Sequence, residues 1–332
     1  MPDFSVITAA HVSELLEGQE AQLVELVREA YLAHHDGDSV NPDSYFLRFP
    51  QKPDARIIAL PAYLGGKAGV AGIKWIAGFP QNVRSGLQRA SAVLVLNDFE
   101  TGYPLALLES AAISAARTAA SAALAAATLG SGPARSLGVV GAGPIARTVC
   151  RYLAATGTGP ATVRCHDIDE YSAGRLTAHL RETHDADART GTLADALDCD
   201  LILLATTAPA PYIHAPHTLR PGQLVLNISL RDLAPELLLG ANNVVDDIDH
   251  CLKAGTSPHL AEQLTRSRDF VTGTLADVLL GEVHLDETRP TVFSPFGLGV
   301  LDLAVGHHVY RAALERGRHL PVPDFFGDTA RW

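Results

Sequence analysis

Three hydrophobic rhythms run along the chain, and each predicts a different kind of element. Over Ala10–His35, Leu and Val recur at helical spacing opposite acidic positions, which predicts a helix with one apolar face. Residues 45–100 change period. RIIALPAYL, GVAGIKWIAGF and ASAVLVLND are β-rich runs separated by Gly, Pro, Asn and Asp, the punctuation of an antiparallel sheet. Residues 104–129, PLALLESAAISAARTAASAALAAATL, are apolar and small over a length that could cross a bilayer. Glu109 and Arg117 sit inside that stretch, and central charges are costly in lipid. Alanine is also the strongest helix former, so a long buried helix is expected and no membrane span.

After a break at Gly130–Ser131–Gly132–Pro133, strand-like and helix-like stretches alternate. Ser136–Val140 reads as a strand and Pro144–Ala155 as a helix. A strand is expected over 162–167, helices over 170–182 and 192–198, and strands over 201–207, 223–229 and 243–248. Such alternation predicts βαβ units, a mainly parallel sheet and right-handed crossovers. With that sheet complete, a last helix from Gly299 to Arg318, after the turn SPFGLG, is expected to return to the first domain.

Composition narrows the partners. The 332 residues are 47% hydrophobic and carry a net charge of −11, enough apolar material for a sizeable core and the wrong sign for nucleic acid or an anionic membrane surface. Four cysteines, at 150, 165, 199 and 251, form no CxxC pair and suit a reducing compartment. The first thirty residues lack a basic stretch followed by an apolar one, so no secretory signal is expected and a cytoplasmic location is.

Gly141–Ala142–Gly143–Pro144–Ile145–Ala146 is GxGxxA, placed directly after LGVV and opening a helix. Gly141 allows the tight turn, Gly143 lets the backbone approach a pyrophosphate, and Ala146 permits close helix–strand packing; Pro144 and Ile145 stand at the anion-binding helix start. The next strand ends in Asp167, 26 residues after Gly141. An acid there accepts from the adenosine ribose and repels a 2′-phosphate, which favours NAD over NADP; a plain glycine turn with a surface Asp is the bland alternative. Thr206, Thr207, Asn227 and Ser229 fall at the carboxyl ends of later strands, where open α/β sheets bind ligands.

Charge is unevenly spread. Residues 40–118 hold eight basic and five acidic residues, a net of +3 inside an acidic chain. Lys74 lies in the apolar run GIKWIA and Arg117 among alanines, so each needs a carboxylate from the protein or from a ligand. Asp232, after LNISLR, could move protons at the mouth of the parallel sheet, or could simply cap the helix before LAPELL. No metal site is expected. HExxH is absent, His34–His35 and His307–His308 are adjacent pairs, and Asp246, Asp247 and Asp249 lack an EF-hand spacing.

These stretches together make the chain resemble the ornithine cyclodeaminase/μ-crystallin family. The carriers are RIIALPAYLGG (56–66), GIKWI (72–76), RASAVLVLND (89–98), ETGYPLALLESAAISAARTAA (100–120), VVGAGPIA (139–146), NISLRD (227–232) and VVDD (244–247). The resemblance implies an α/β protein: an α+β dimerisation and substrate domain over 1–130, completed by 300–332, and a Rossmann-type NAD domain over 131–299. It implies substrate contacts from Arg48, Lys74 and Arg117, with Arg89 and Arg231 for an extra carboxylate. It also implies cofactor contacts from Ser91, Arg117 and Asp167, and proton chemistry at Lys74 and Asp232. Cyclodeaminases carry a glycine pair where this chain has Leu230–Arg231, and a Ser where it has Pro295. The chain is most similar to the branch that makes 2,3-diaminopropionate for siderophores and peptide antibiotics. In that branch NAD accepts a hydride from a secondary amine joining glutamate to a diaminopropionate unit, and water releases 2-oxoglutarate. Other outcomes the family implies are ornithine cyclisation, imine reduction and ligand binding without catalysis. A homodimer and a small anionic amino-acid substrate are the partners expected.

Overall fold

The computed structural model describes residues 4–132 and 134–327; Pro133 of the expected break and residues 1–3 and 328–332 of the expected first domain lie outside the described residues. The chain divides into two compact units. The first runs to Arg117 and resumes at Leu298, and the second is Thr118–Gly297. The divide therefore falls inside the alanine-rich helix, ahead of the glycine-rich break.

In the first unit the strands are β1 (Phe4–Ile7), β2 (Ser39–Val40), β3 (Tyr45–Phe49), β4 (Lys52–Leu64), β5 (Val70–Gly78), β6 (Ala90–Asp98) and β7 (Pro104–Glu109). A final strand, Leu320–Val322, completes one sheet in the order final strand, β1, β7, β6, β5, β4, β2, with β3 also pairing β4. Neighbours from β3 to β7 are antiparallel, as the alternating runs predicted. The expected Ala10–His35 helix is two helices, α1 (Ala9–Leu16) and α2 (Glu20–His35). Gly18, at φ +70°, turns the chain between them, and only glycine takes that conformation cheaply.

The alanine-rich stretch also needed correction at its start. Pro104–Glu109 is a strand that buries Ala106 and Leu108 on one face. The helix α3 begins only at Ala111 and ends at Leu129. Both Glu109 oxygens accept from its first N–H groups, Ala111 N at 2.7 Å and Ala112 N at 3.3 Å, and this cap stops the helix from extending backwards. By length and composition alone α3 could cross a membrane, but 56% of its most apolar window is buried in the structure, as expected of a core helix.

The C-terminal helix, Gly299–Glu315, packs on β4, β5 and β6. Two glycines permit that approach. A Cβ on Gly306 would run into Leu94 Cδ2, and one on Gly72 would stand 2.9 Å from Leu303 Cδ2. The opposite sheet face carries Tyr45, Leu47, Trp75 and Val93, all exposed.

The second unit is a Rossmann-type parallel sheet. Its strands are β8 (Ser136–Val140), β9 (Thr162–His166), β10 (Asp187–Thr190), β11 (Leu201–Leu204), β12 (Leu224–Asn227), β13 (Asn242–Val245), β14 (Val271–Thr274) and β15 (Thr291–Ser294). The order β10-β9-β8-β11-β12-β15-β13-β14 reverses direction between β8 and β11, the switch point of a doubly wound sheet. Helices α4 (Pro144–Ala155), α5 (Glu170–His184) and α6 (Leu193–Leu197) follow the predicted positions closely; α7 (Pro235–Leu238), α8 (Ile248–Cys251), α9 (Ser257–Thr265) and α10 (Leu275–Leu280) complete the series. The sheet is complete before the C-terminal helix, as expected, but with more strands than expected. β10, β14 and β15 were not anticipated, and β15 enters between β12 and β13. DART, VTGT and TVFS lack the longer apolar runs of LILL and LVLN, so neither a run nor a period registers in them.

Gly138 sits mid-strand in β8, where a Cβ would strike the Ala196 carbonyl in α6. Neither backbone can yield without moving a strand or a helix. Gly138→Ala is therefore expected to lower the unfolding free energy by about 1–3 kcal/mol or more, read from the urea midpoint.

Candidate functional site

At the carboxyl edge of the parallel sheet the strand tips are laced together. Gly141 N donates to His166 O, Ala205 N to Val140 O and Ser229 N to Leu204 O, each at 2.9 Å. Gly141 has φ +92°, and a Cβ there would sit 2.7 Å from the Ala205 carbonyl and 3.1 Å from Thr206 Cγ2. The first glycine is thus required both by conformation and by the neighbouring tip. Gly143 has open space where a Cβ would stand, which leaves its backbone approachable.

Helix α4 starts at Pro144, and its first ladder bond runs from Arg147 N to Gly143 O. The N–H groups of Ile145 and Ala146 have no carbonyl inside the helix, which makes an anion-binding end. Asp167, just beyond β9, accepts from Ala142 N at 2.6 Å and Asp169 N at 2.9 Å, so its carboxylate is fixed beside the glycine turn. Asn227, the last residue of β12, donates to Ser294 Oγ at 3.0 Å. Its Oδ1 and the Ser229 hydroxyl are buried without a hydrogen-bond partner. Thr207 is exposed. Orphaned polar atoms, an open glycine and a free helix start on one sheet edge fit a dinucleotide.

Asp232 does not cap a helix. The residue before α7 is Ala234, and the Asp232 side chain turns instead to two hydroxyls. Thr206 Oγ1 stands 2.8 Å from both carboxylate oxygens, and Tyr212 Oη donates to Oδ2 at 3.1 Å. The reason is a short parallel contact: Ile213 bridges Leu233, and Tyr212 N and Ile213 N both donate to the Asp232 carbonyl. Burial raises the Asp232 pKa above the usual carboxylate range, and the hydroxyls of Ser229, Thr206 and Tyr212 act against it. The Ser229 hydroxyl is near enough to steady the charge but its geometry falls short of a hydrogen bond. Burial and the adjacent carboxylate push the Tyr212 phenol up. Tyr212 was not singled out by the sequence, because the contact joins positions twenty residues apart.

In the first unit Lys74 lies opposite Leu60 and Leu94, on the face covered by the C-terminal helix. It is 2% exposed, and its ammonium donates to Asp302 Oδ2 at 2.5 Å and to Ser114 Oγ at 3.3 Å. Arg117 Nε donates to the other oxygen, Asp302 Oδ1, at 3.3 Å. The sequence left open whether protein or ligand would answer these cations. Among the described residues the protein answers with one carboxylate for two charges. The Lys74 pKa is lowered to about 8, by burial first and by Arg117 second, with Asp302 pulling the other way.

The remaining basic residues separate. Arg48 is exposed, with its guanidinium 5.3 Å from the Phe46 ring, and stands directly opposite Arg56. Arg56 in turn pairs with Gly78, and Arg89 Nη1 lies 3.7 Å from where a Gly78 Cβ would be. Alternation puts this arginine row on the Lys74 face. By strand geometry it is roughly 15 Å from Lys74, measured between backbones. Arg89 has no carboxylate partner among the described residues, and burial lowers its pKa. Arg231 belongs to the second unit, where its Nη2 donates to Ala254 O at 2.8 Å. Ser91 pairs with Ala77 and faces away from Lys74. The acidic trio proves structural in part: Asp246 accepts from Phe296 N and Gly297 N, and Asp247 caps α8.

A sequence profile of the ornithine cyclodeaminase/mu-crystallin family matches residues 4–317. Among curated proteins, N-((2S)-2-amino-2-carboxyethyl)-L-glutamate dehydrogenase of Staphylococcus aureus is 27% identical over 90% of this chain and 92% of its own. The NAD(P)H-dependent anabolic L-arginine dehydrogenase DauB of Pseudomonas aeruginosa is 30% identical over 92% of this chain and 96% of its own. Among solved structures, an archaeal alanine dehydrogenase dimer with bound NAD superimposes with a TM-score of 0.85 at 25% identity, covering 97% of this chain and 100% of that one. The glycine turn, the strand order and the match over nearly the whole length lead to one conclusion: the chain belongs to the ornithine cyclodeaminase/mu-crystallin family.

Proposed function

We propose that the protein is a cytoplasmic, NAD-dependent enzyme that oxidises and hydrolyses N-((2S)-2-amino-2-carboxyethyl)-L-glutamate to 2-oxoglutarate and L-2,3-diaminopropionate. The observation that carries this reading is the charge on the Lys74 face. Buried Lys74 and partly buried Arg117 share one carboxylate among the described residues, and Arg48, Arg56 and Arg89 form a further basic row. A substrate with three carboxylates answers both groups, whereas ornithine brings one carboxylate and a distal ammonium that the row would repel. The resemblance to the Staphylococcus aureus dehydrogenase supports the same choice.

The first unit is then the substrate domain and the second the cofactor domain. NAD, held by Gly141, Gly143, Ile145, Asp167, Asn227 and Ser229, supplies the hydride acceptor. Lys74 and Arg117 hold a substrate carboxylate and fix the orientation of the glutamyl Cα, a positioning effect worth orders of magnitude in rate. Arg48 and Arg89 take the further carboxylates. Once the C–N bond is an imine, Asp232 accepts a proton from the water that adds to the carbon. It returns a proton to the departing amine, so one water is consumed and one diamine leaves. The product is a precursor for siderophore or peptide-antibiotic synthesis. The exposed Tyr45, Leu47, Trp75 and Val93 form the face on which two copies pair.

Three measurements test this. Incubation with NAD and the secondary amine is expected to accumulate NADH and 2-oxoglutarate in equal amounts. A cyclodeaminase returns its hydride and would leave no net NADH, so silence with ornithine consumption would replace the reading. Trp75→Asp is expected to shift sedimentation from dimer to monomer.

Lys74→Met separates function from stability. The charged ammonium is disfavoured in the folded state, whose pKa of about 8 lies below the ordinary 10.5. Turnover is expected to fall by about 10²-fold. At pH 7 the unfolding free energy is expected to rise by about 1 kcal/mol or more, since the Arg117–Asp302 pair then balances. Between about pH 8 and 10.5 the unfolded chain holds the Lys74 proton that the folded one has released, so wild-type stability gains on the variant as pH rises and the gap closes.

A further inference from the structure

We propose that Tyr212 is a positioning residue that sets the proton affinity of the Asp232 carboxylate and makes Oδ1 its reactive oxygen. The proposal deepens the reading above, in which Asp232 moves the proton. Among the described residues Asp232 has no cationic partner; only hydroxyls address it. Thr206 Oγ1 is equidistant from both oxygens and cannot tell them apart. Tyr212 touches Oδ2 alone, at 3.1 Å. The Ser229 hydroxyl lies near the carboxylate but makes no hydrogen bond to it, so among the hydrogen-bonded donors Oδ2 carries the extra one and Oδ1 keeps the greater basicity.

The donor is also pre-organised. The ring packs on the core cluster that includes Ile213 and Leu233. Its backbone N–H donates to the Asp232 carbonyl, so the backbone contact that fixes Asp232 also delivers the phenol. Ala208 N donates to Thr206 Oγ1, which leaves the Thr206 proton directed at the carboxylate. The phenol stays protonated through the working range because burial and the neighbouring carboxylate hold its pKa up. In the hydrolytic step, the water oxygen bonds to the imine carbon, its proton passes to Oδ1, and Tyr212 keeps its own proton throughout.

The sign of the effect follows. A donor to the carboxylate favours the charged form, so its loss raises the Asp232 pKa. Tyr212→Phe keeps the ring and removes only the donor. The acid limb of kcat/KM is expected to move up by about one pH unit, with KM for NAD unchanged. A readout without turnover comes from aspartate labelled with ¹³C at the carboxyl, with the Asp232 signal identified by its loss in Asp232→Asn. Its titration midpoint is expected to rise by the same amount in Tyr212→Phe. Placing 3-fluorotyrosine at position 212 alone strengthens the donor and is expected to move the midpoint down, a reversal that a packing role would not produce. Equal midpoints in wild type and both variants overturn the proposal. Because the titration needs no substrate, it decides the role of Tyr212 even if the secondary amine is not consumed, an outcome that would count only against the proposed reaction.

Discussion

One buried carboxylate organises the first unit. Asp302, on the C-terminal helix, is the shared partner of Lys74 from the sheet and Arg117 from the second turn of α3. Two cations and one anion leave a charge that no other described residue cancels, and the burial of Lys74 makes that imbalance expensive. The depressed Lys74 pKa expresses the expense. Such an arrangement is poor as a structural device, and in the proposed reaction a substrate carboxylate would balance it. The glycines at 72 and 306 serve it by letting the helix approach the sheet closely enough for Asp302 to reach.

The second unit handles its own buried acid differently. Among the described residues Asp232 meets hydroxyl donors and no cation, so its charge is tolerated rather than locked. A carboxylate paired with arginine would titrate far below neutrality and make a weak base. One held by neutral donors and raised by burial sits closer to the range where it can accept and return a proton. The two acids thus divide the work: Asp302 arranges charge, and Asp232 is suited to moving it.

Much of the second unit was legible because its signals are local. Gly141, Gly143 and the start of α4 lie within a few residues of one another, and the tight turn, the open backbone and the helix end require no distant partner. Asp167 follows at the end of the next strand for the same reason. The long β-runs of the first unit were legible through their period of two, whereas VTGT and TVFS were too short to show any. PLALLE was misread because alanine propensity ran on from α3, and the cap that ends it depends on where the Glu109 carboxylate points.

The sequence by itself determined the fold class, the phosphate-binding turn and the need of Lys74 and Arg117 for a carboxylate, since burying an unpaired charge is prohibitive in any fold. Only the tertiary structure decided who supplies it. Asp302 lies 228 residues beyond Lys74, and its place in the apolar run GVLDLAV marks a buried acid without saying which cations it meets. Tyr212 likewise is brought to Asp232 by one parallel bridge. Propensity and periodicity report what a residue does to its near neighbours; which distant side chains meet is set by how the packed elements cross, and that information exists only once the chain has folded.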